Sequence, residues 1–285
     1  MKKTIIILLV LMFGAADMLY AQSGNLIVMG QLGVGTGSPS HAVDVVGDVN
    51  VTGNYKINGV SQTSPTLNGA LSGLMITNDA TYPTTQIDVT ANFIGTVVQS
   101  GTMGISCTTS GQAAGNDLDT GSLTANTWYY IWVIYNGTTI AGLASTSGTS
   151  PIMPGNYANA SKRLVGMAVT NSSSQFVGFH QYGNQTFFNV KQAISLTVSW
   201  PKYVPLSLTS YIPPNAATVL IYCSPASTGT FNASDDGTNL WISTGWSGDG
   251  VVASESTIPI LTAQTIWYAV STSSTLYISG FMLNL

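Results

Sequence analysis

The sequence predicts an all-β protein in which a short stalk, built on a six-residue glycine repeat, precedes two domains of the β-sandwich or jelly-roll type. Apolar and polar residues alternate in short segments such as 87–93, and this period of two indicates half-buried strands. Charged residues form only 6% of the chain, against about 25% in ordinary domains, so that Ser, Thr, Asn and Gly supply its polar surface. Short strands separated by turn residues, without helical periodicity, are typical of sandwiches and jelly rolls.

The first 21 residues are predicted to be a signal peptide. Lys2 and Lys3 precede an apolar run over residues 4–14, and Ala21 supplies the small residue before the cleavage site. The run is too short to span a bilayer comfortably, which argues against the alternative of a membrane anchor. We therefore expect a secreted protein, at a cell surface or on a virion, with no membrane span after signal cleavage.

Residues 22–61 are predicted to form the stalk. Its repeat has a period of six and consists of Gly47, Gly53 and Gly59, preceded two residues earlier by Val45, Val51 and Ile57. A single thin ribbon has no core for these apolar side chains, and an isolated hairpin is marginally stable in water. Association of three chains would bury them, so the repeat predicts an intertwined parallel homotrimer. A Gly-rich hairpin linker is the alternative.

The remaining chain is predicted to comprise a neck over residues 62–83, a first β-sandwich domain over 84–189 and a second over 190–285. The two domains share a local motif, because LTANTWYY at 123–130 is similar to LTAQTIWY at 261–268. This similarity predicts that the same local backbone structure leads into a strand in both domains.

Two segments indicate where apolar faces lie. Residues 128–135, WYYIWVIY, are apolar on both faces, which predicts a central strand or one covered by a neighbouring subunit. In the second domain, one apolar strand face is predicted to carry Ile194, Leu196, Val198 and Trp200.

The charge balance restricts the partners. Without residues 1–21 the chain has five basic and ten acidic side chains, so no basic patch for nucleic acid or an anionic membrane can be assembled. Cys107 and Cys223 lie in different predicted domains and are expected to be buried free thiols, although an exported protein could also form a disulfide.

The sequence offers little acid–base chemistry. His41 and His180 are the histidines, and Glu255 is the one glutamate. Paired aspartates remain at Asp117 and Asp119, whose side chains would project from one face of a strand, and at Asp235 and Asp236, which precede Gly237 as turn residues do. We therefore expect no catalytic residues, no enzymatic activity, no cofactor and no metal site.

One loop, Phe231 to Gly250, is a candidate ligand site. Trp246 stands between glycines, outside any alternating segment, which predicts an exposed ring. An exposed Trp can pack on the C–H face of a sugar while carboxylates bind its hydroxyls. The candidate ligand-binding residues are Asp235, Asp236, Trp246 and Asp249. The alternative is that Trp246 fills the end of the sandwich or a subunit interface.

Three segments resemble proteins of phage tails. Residues 32–61, LGVGTGSPSHAVDVVGDVNVTGNYKINGVS, resemble a segment of phage tail fibres and long bacterial surface fibres that precedes a trimeric β-rich tip. Residues 119–182 resemble a domain that recurs in phage tail or virion proteins, and the end of the chain from Val204 resembles its companion domain. A signal peptide departs from the pattern of a virion protein, so a bacterial surface protein built from phage-like modules is also open.

The resemblance implies a structural fibre or adhesin-like protein that attaches to a cell-surface glycan or another receptor. A purely structural virion or surface-layer component without a ligand is the alternative. A glycan-cleaving enzyme is a third hypothesis.

Overall fold

The computed structural model describes residues 32–34, 40, 43–46, 56–57, 60–61, 67–99, 101–158, 160–223, 229–233, 242–246 and 255–285. The chain forms two compact units, residues 1–63 and residues 64–285. The predicted signal peptide lies outside the described residues.

In the first unit, the described residues form two short pairs of strands. Strands β1 (Leu32–Val34) and β2 (Val43–Val45) are parallel, and β3 (Lys56–Ile57) and β4 (Val60–Ser61) are antiparallel. Gly47, Gly53 and Gly59 of the repeat lie outside the described residues. The intertwined trimeric stalk therefore stays a prediction.

The second unit confirms the predicted all-β class. Its first strands are β5 (Leu71–Ser72), β6 (Met75–Asn78), β7 (Gln86–Thr90), β8 (Phe93–Ile94), β9 (Val97–Val98), β10 (Met103–Ser110), β11 (Asp117–Leu118), β12 (Trp128–Tyr135), β13 (Ile140–Ser145) and β14 (Ser161–Val169). They are followed by β15 (Phe179–Tyr182), β16 (Gln185–Leu196), β17 (Val204–Ser207), β18 (Ala216–Cys223), β19 (Gly229–Ala233), β20 (Ile242–Trp246), β21 (Glu255–Pro259), β22 (Thr265–Val270) and β23 (Ser274–Leu283). The helical structure within the described ranges is one 3₁₀ turn, Gly155–Tyr157. In this part of the chain no helix has the length and apolarity needed to cross a bilayer.

Most of these strands form one twelve-stranded sheet with the order β14-β12-β13-β11-β10-β7-β6-β15-β16-β23-β18-β21. Two smaller sheets have the orders β5-β8-β9 and β17-β22-β19-β20. The predicted boundary between residues 189 and 190 lies inside strand β16, so both predicted domains contribute to the same sheet. The predicted neck also contributes strands β5 and β6, because its apolar residues Leu67, Leu74 and Ile76 are buried in the core.

The sheet folds over on itself around the first core. Gly142 of β13 faces Ile105 of β10, and a Cβ atom at Gly142 would lie 2.6 Å from Ile105 Cδ1 and 3.0 Å from Met103 Sδ. Gly166 of β14 likewise faces Ile76 of β6. Strands β14 and β6, which are distant in the sheet order, therefore pack face to face, and β13 approaches β10 closely across the short strand β11. Both approaches occur at positions where only glycine leaves enough room.

Strand β12 confirms the prediction that its residues are buried on both faces. It lies between β13 and β14, and its residues Tyr129, Ile131, Val133 and Tyr135 belong to the first core. On the opposite face, Trp132 and Ile134 pack with Tyr157. The chain itself covers both faces of this strand.

The second core lies between the sheet β17-β22-β19-β20 and the end of the large sheet. Its fully buried members include Val219, Ile266, Ile278 and Phe281. Trp128 of β12 reaches this core: its ring meets the Phe281 ring edge-on at 5.6 Å, and its Nε1–H donates to the Thr209 carbonyl at 3.1 Å. The two cores are thus joined by a side chain of the first half.

The similarity between 123–130 and 261–268 is confirmed as a shared backbone turn. Asn126 and Gln264 both have φ of 51°, and each is followed by a Thr whose hydroxyl donates to the carbonyl two residues earlier. The prediction that Val198 and Trp200 share an apolar face with Leu196 is wrong. Strand β16 ends at Leu196, and both later side chains are 57% exposed.

Candidate functional site

The candidate site is the solvent-facing side of strands β7, β6, β15 and β16, which we call the outer face. Two rows of side chains run across it, set by the cross-strand register. One row consists of Gln185, Tyr182, Met75 and Thr90, and the other consists of Phe187, His180, Thr77 and Asp88. Alternate residues of the same strands, such as Ile76, Ile87 and Phe179, point into the first core.

Asparagine and aspartate side chains at the β6–β7 hairpin hold these strands in place. Asp79 Oδ1 accepts hydrogen bonds from the backbone N–H groups of Thr81 at 2.8 Å and Tyr82 at 2.6 Å, which forms the turn. Asn78 Oδ1 accepts from the Phe179 N–H at 2.8 Å and so joins β15 to the hairpin. The hydrogen bonds of Asp79 and Asn78 therefore fix the positions of strands β6, β7 and β15 beneath the outer face.

A buried glutamine supports the β15–β16 hairpin from the inner side. Gln181 is fully buried, and its Nε2 donates to the carbonyls of Val165 and Gly183, both at 2.7 Å. The neighbouring Tyr182 points the opposite way and is 56% exposed. Because Gln181 is fixed on both sides, the backbone that presents the Tyr182 ring is held rigidly.

A carboxyl pair lies at the far end of the outer face. Burial raises the pKa of Asp88, and the charge of Asp79 and a hydrogen bond with its side chain raise that pKa further. Gly104 of β10 leaves room beside this carboxyl: a Cβ atom there would lie 2.7 Å from Gln86 Nε2 and 3.4 Å from Asp88 Oδ1. The glycine thus lets an amide and a carboxyl lie flat over the neighbouring strand.

The chemistry of the outer face suits a polyhydroxylated ligand. An exposed tyrosine ring offers an apolar surface to sugar C–H groups, and hydroxyl, amide and carboxyl groups can bind sugar hydroxyls. Elsewhere in the same unit, an open cleft of about 290 Å³ lies between the β8–β9 and β12–β13 turns. It is lined by Thr96, Val97, Val98, Tyr135, Thr138 and Ile140.

The sequence did not indicate that Asp117 and Asp119 are buried. Asp119 Oδ2 accepts from the Ser145 hydroxyl at 2.6 Å and the Ile152 N–H at 3.1 Å. Asp117 Oδ2 accepts from the Gln112 N–H at 2.6 Å, and its Oδ1 is buried without a hydrogen-bond partner. Burial raises the pKa of Asp117, the Gln112 hydrogen bond lowers it, and the charge of Asp119 raises it. Through these hydrogen bonds, Asp117 holds the loop at Gln112 and Asp119 holds the loop at Ile152 against the sheet.

Cys107 is confirmed as a buried free thiol. Burial and the charge of Asp117 raise its pKa to about 12, so it is a poor nucleophile. The side chain of Cys223 lies outside the described residues. Those residues contain no group of three or more His, Cys, Asp or Glu side chains that could hold a metal ion.

The ligand-binding residues predicted from the sequence fall largely outside the described part of the chain. This holds for Asp235, Asp236 and Asp249, and for Trp246 only the backbone is described. Trp246 is the last residue of strand β20 and pairs with Gly229, so its backbone belongs to a strand and not to a loop. The structure thus does not show these residues together, and their role stays a prediction.

Comparison with protein families matches residues 75–193 to a family described as the Mtd second domain. This segment is less than half of the chain. It begins with strand β6, ends within β16 and contains both rows of the outer face. No curated protein and no solved structure matches the chain.

The prediction that the chain is not an enzyme is contradicted by this match. Read as methylene-tetrahydromethanopterin dehydrogenase, the name Mtd denotes an enzyme. The prediction rested on a count of titratable side chains, and a count does not show how burial and nearby charges change their pKa values. Asp88 and Asp117 are both carboxyls of raised pKa. On that reading of the name the prediction is contradicted, and enzymatic activity has to be tested directly.

Proposed function

We propose that this protein is a secreted, fibre-type or adhesin-like attachment protein whose outer face binds a cell-surface glycan. The observation that carries the proposal is the row of solvent-facing side chains around Tyr182, a tyrosine that is 56% exposed. The likeness of residues 32–61 and 119–182 to phage tail-fibre modules supports the same class of function.

The physical argument rests on what a flat sheet face can recognise. A sugar ring has an apolar C–H face and a rim of hydroxyls, and the outer face presents one exposed ring beside hydroxyl, amide and carboxyl groups. Such a surface binds without enclosing its ligand, which suits an extended glycan chain on a cell. Rigid strands below it reduce the entropy lost on binding.

Replacement of the exposed ring tests the proposal. On a glycan array, Tyr182→Ala should weaken binding by about tenfold through loss of the ring, whereas Tyr182→Phe should retain most of it. The matched control is Tyr82→Ala, since Tyr82 is 60% exposed but lies outside the rows. Unchanged binding by a folded Tyr182→Ala variant would refute the outer face as the site. A wild-type protein that binds no glycan would favour a purely structural component.

Glycan cleavage is a second candidate, because the Asp88 carboxyl on the outer face could serve as a general acid. A carboxyl that keeps its proton at higher pH can act as a general acid, and the pKa of Asp88 is raised. Release of reducing sugar by the wild type, abolished in Asp88→Asn, would support cleavage. Binding without release would support attachment alone.

The proposed assembly is a parallel homotrimer held by the stalk. Light scattering of residues 22–285 should give the mass of three chains. Replacement of Val45, Val51 and Ile57 by Asp should dissociate it, because charges would replace the apolar side chains that pack between chains. A wild-type protein that remains monomeric would contradict the assembly without affecting the outer face.

A further inference from the structure

A second surface, remote in sequence from the outer face, lies in the turn between strands β16 and β17. Trp200, Pro201 and Lys202 are all exposed there, and the Trp200 ring is 57% exposed. Tryptophan is usually well buried, so an exposed indole beside a charged residue contributes little to the fold. We call residues 198–203 the Trp200 turn.

Hydrogen bonds to strand β22 hold the Trp200 turn in place. The N–H groups of Ser199 and Trp200 both donate to the Val270 carbonyl, at 3.0 and 3.1 Å. The Val270 N–H donates to Ser199 Oγ at 3.2 Å, and the Lys202 N–H donates to the Ser199 carbonyl at 2.8 Å. The turn therefore presents Trp200 and Lys202 from a fixed backbone, which is the arrangement that favours binding.

Lys202 differs from the other basic residues whose side chains the structure describes. Lys162 and Lys191 lie over the rings of Trp132 and Tyr222, and the Arg163 guanidinium donates to the carbonyls of Leu67 and Gly69. The ammonium group of Lys202 has no such contact within the described part of the chain. The chain has only seven Lys and Arg residues, and Lys202 lies two residues after the exposed Trp200 indole.

We propose that the Trp200 turn binds an acidic saccharide, with a sugar ring packed on the Trp200 indole and its carboxylate paired with the Lys202 ammonium. Indole rings match the C–H face of a sugar, and an ammonium group attracts a carboxylate at short range. A single lysine cannot hold an anionic membrane, which takes several cations at about 1 kcal/mol each. The chemical class is a uronic or sialic acid unit of a glycan.

This site is separate from the outer face and does not depend on it. The proposed function requires glycan binding at Tyr182, whereas this inference requires a second, acid-selective site at Trp200. Failure of one leaves the other standing, and variants at the two positions distinguish them.

Titration of the full chain with defined oligosaccharides tests the proposal. The probes are α-1,4-linked hexagalacturonate and α-2,8-linked hexasialate as acidic glycans and maltohexaose as a neutral one. Trp200→Ala should weaken binding of at least one acidic probe by about tenfold, and Trp200→Phe should weaken it less, because a ring remains. Lys202→Gln should reduce the preference for acidic over neutral probes, and Lys202→Arg should restore it. The control Tyr82→Ala, at a tyrosine that is 60% exposed and lies outside both proposed sites, should bind these acidic probes as the wild type does.

Several results would overturn the proposal. These are no binding of either acidic probe by the wild type, equal binding by wild type and Trp200→Ala, and an unchanged acid preference in Lys202→Gln. A loss of binding in Tyr182→Ala but not in Trp200→Ala would assign recognition to the outer face and overturn the second site. The thermal midpoint of each variant should equal that of the wild type. If Trp200→Ala lowers it, Lys202→Gln decides the question.

Discussion

Trp128→Ala tests whether residues 64–285 fold as one cooperative unit. Trp128 belongs to a strand of the first core but packs on Phe281 of the second, with a ring separation of 5.6 Å. Its Nε1–H also donates to the Thr209 carbonyl at 3.1 Å. The substitution removes these two contacts between the halves and leaves the sheet hydrogen bonds intact.

The expected cost follows from these contacts. Full truncation of a core Trp costs about 3–5 kcal/mol, and the partial exposure of Trp128 places it at the lower end of that range. The lost hydrogen bond accounts for about 1 kcal/mol and the edge-to-face pair for about 1 kcal/mol of this cost. We expect Trp128→Ala to lower the free energy of unfolding by about 3 kcal/mol. Trp128→Phe should cost about 1 kcal/mol, because it loses chiefly the hydrogen bond.

Urea unfolding followed by circular dichroism and by tryptophan fluorescence measures the effect. The wild type should show a single transition that coincides for both probes, because one sheet runs through both halves. Trp200→Ala is the matched control and should change the free energy by less than about 0.5 kcal/mol. A loss below about 1 kcal/mol in Trp128→Ala would refute the coupling. Two separate transitions in the wild type would support two independent domains.

Three further predictions concern single buried positions. Gly142→Ala should lower the free energy of unfolding by about 1–3 kcal/mol, because the new methyl group would overlap the Ile105 side chain. The control Gly155→Ala should be near neutral, because the new methyl group would meet its nearest atom at 3.7 Å. Equal melting temperatures for the two variants would contradict this overpacking at Gly142. The raised pKa of Asp117 means that the folded state keeps a proton that the unfolded state releases, so stability falls as pH rises from about 4 through the folded pKa. Asp117→Asn should therefore flatten the dependence of the melting temperature on pH, and an unchanged slope would show that this carboxyl is not responsible. Cys107, with its pKa raised to about 12, should resist thiol reagents at pH 8 until the protein unfolds, and peptide mapping that finds it labelled in the native state would show that it is accessible.

Local patterns in the sequence determined the class of this fold and several of its parts. The alternation over residues 87–93 placed Ile87 and Val89 on a buried face, and the doubly apolar segment 128–135 became a central strand. The repeated motif at Asn126 and Gln264 became the same turn. These features could be predicted because each depends on residues that are neighbours along the chain.

Only the tertiary structure decided what depends on contacts between distant segments. It continued one sheet through residue 190, where the sequence predicted a domain boundary, because pairing of β16 with β15 and β23 is a long-range choice. It also exposed Trp200, which alternation had placed on a buried face, since the chain turns at Ser199 to bond with Val270. Alternation determines which residues share a side of one strand. Cross-strand register, which the sequence does not state, determined that Tyr182 and Asp88 lie on one face.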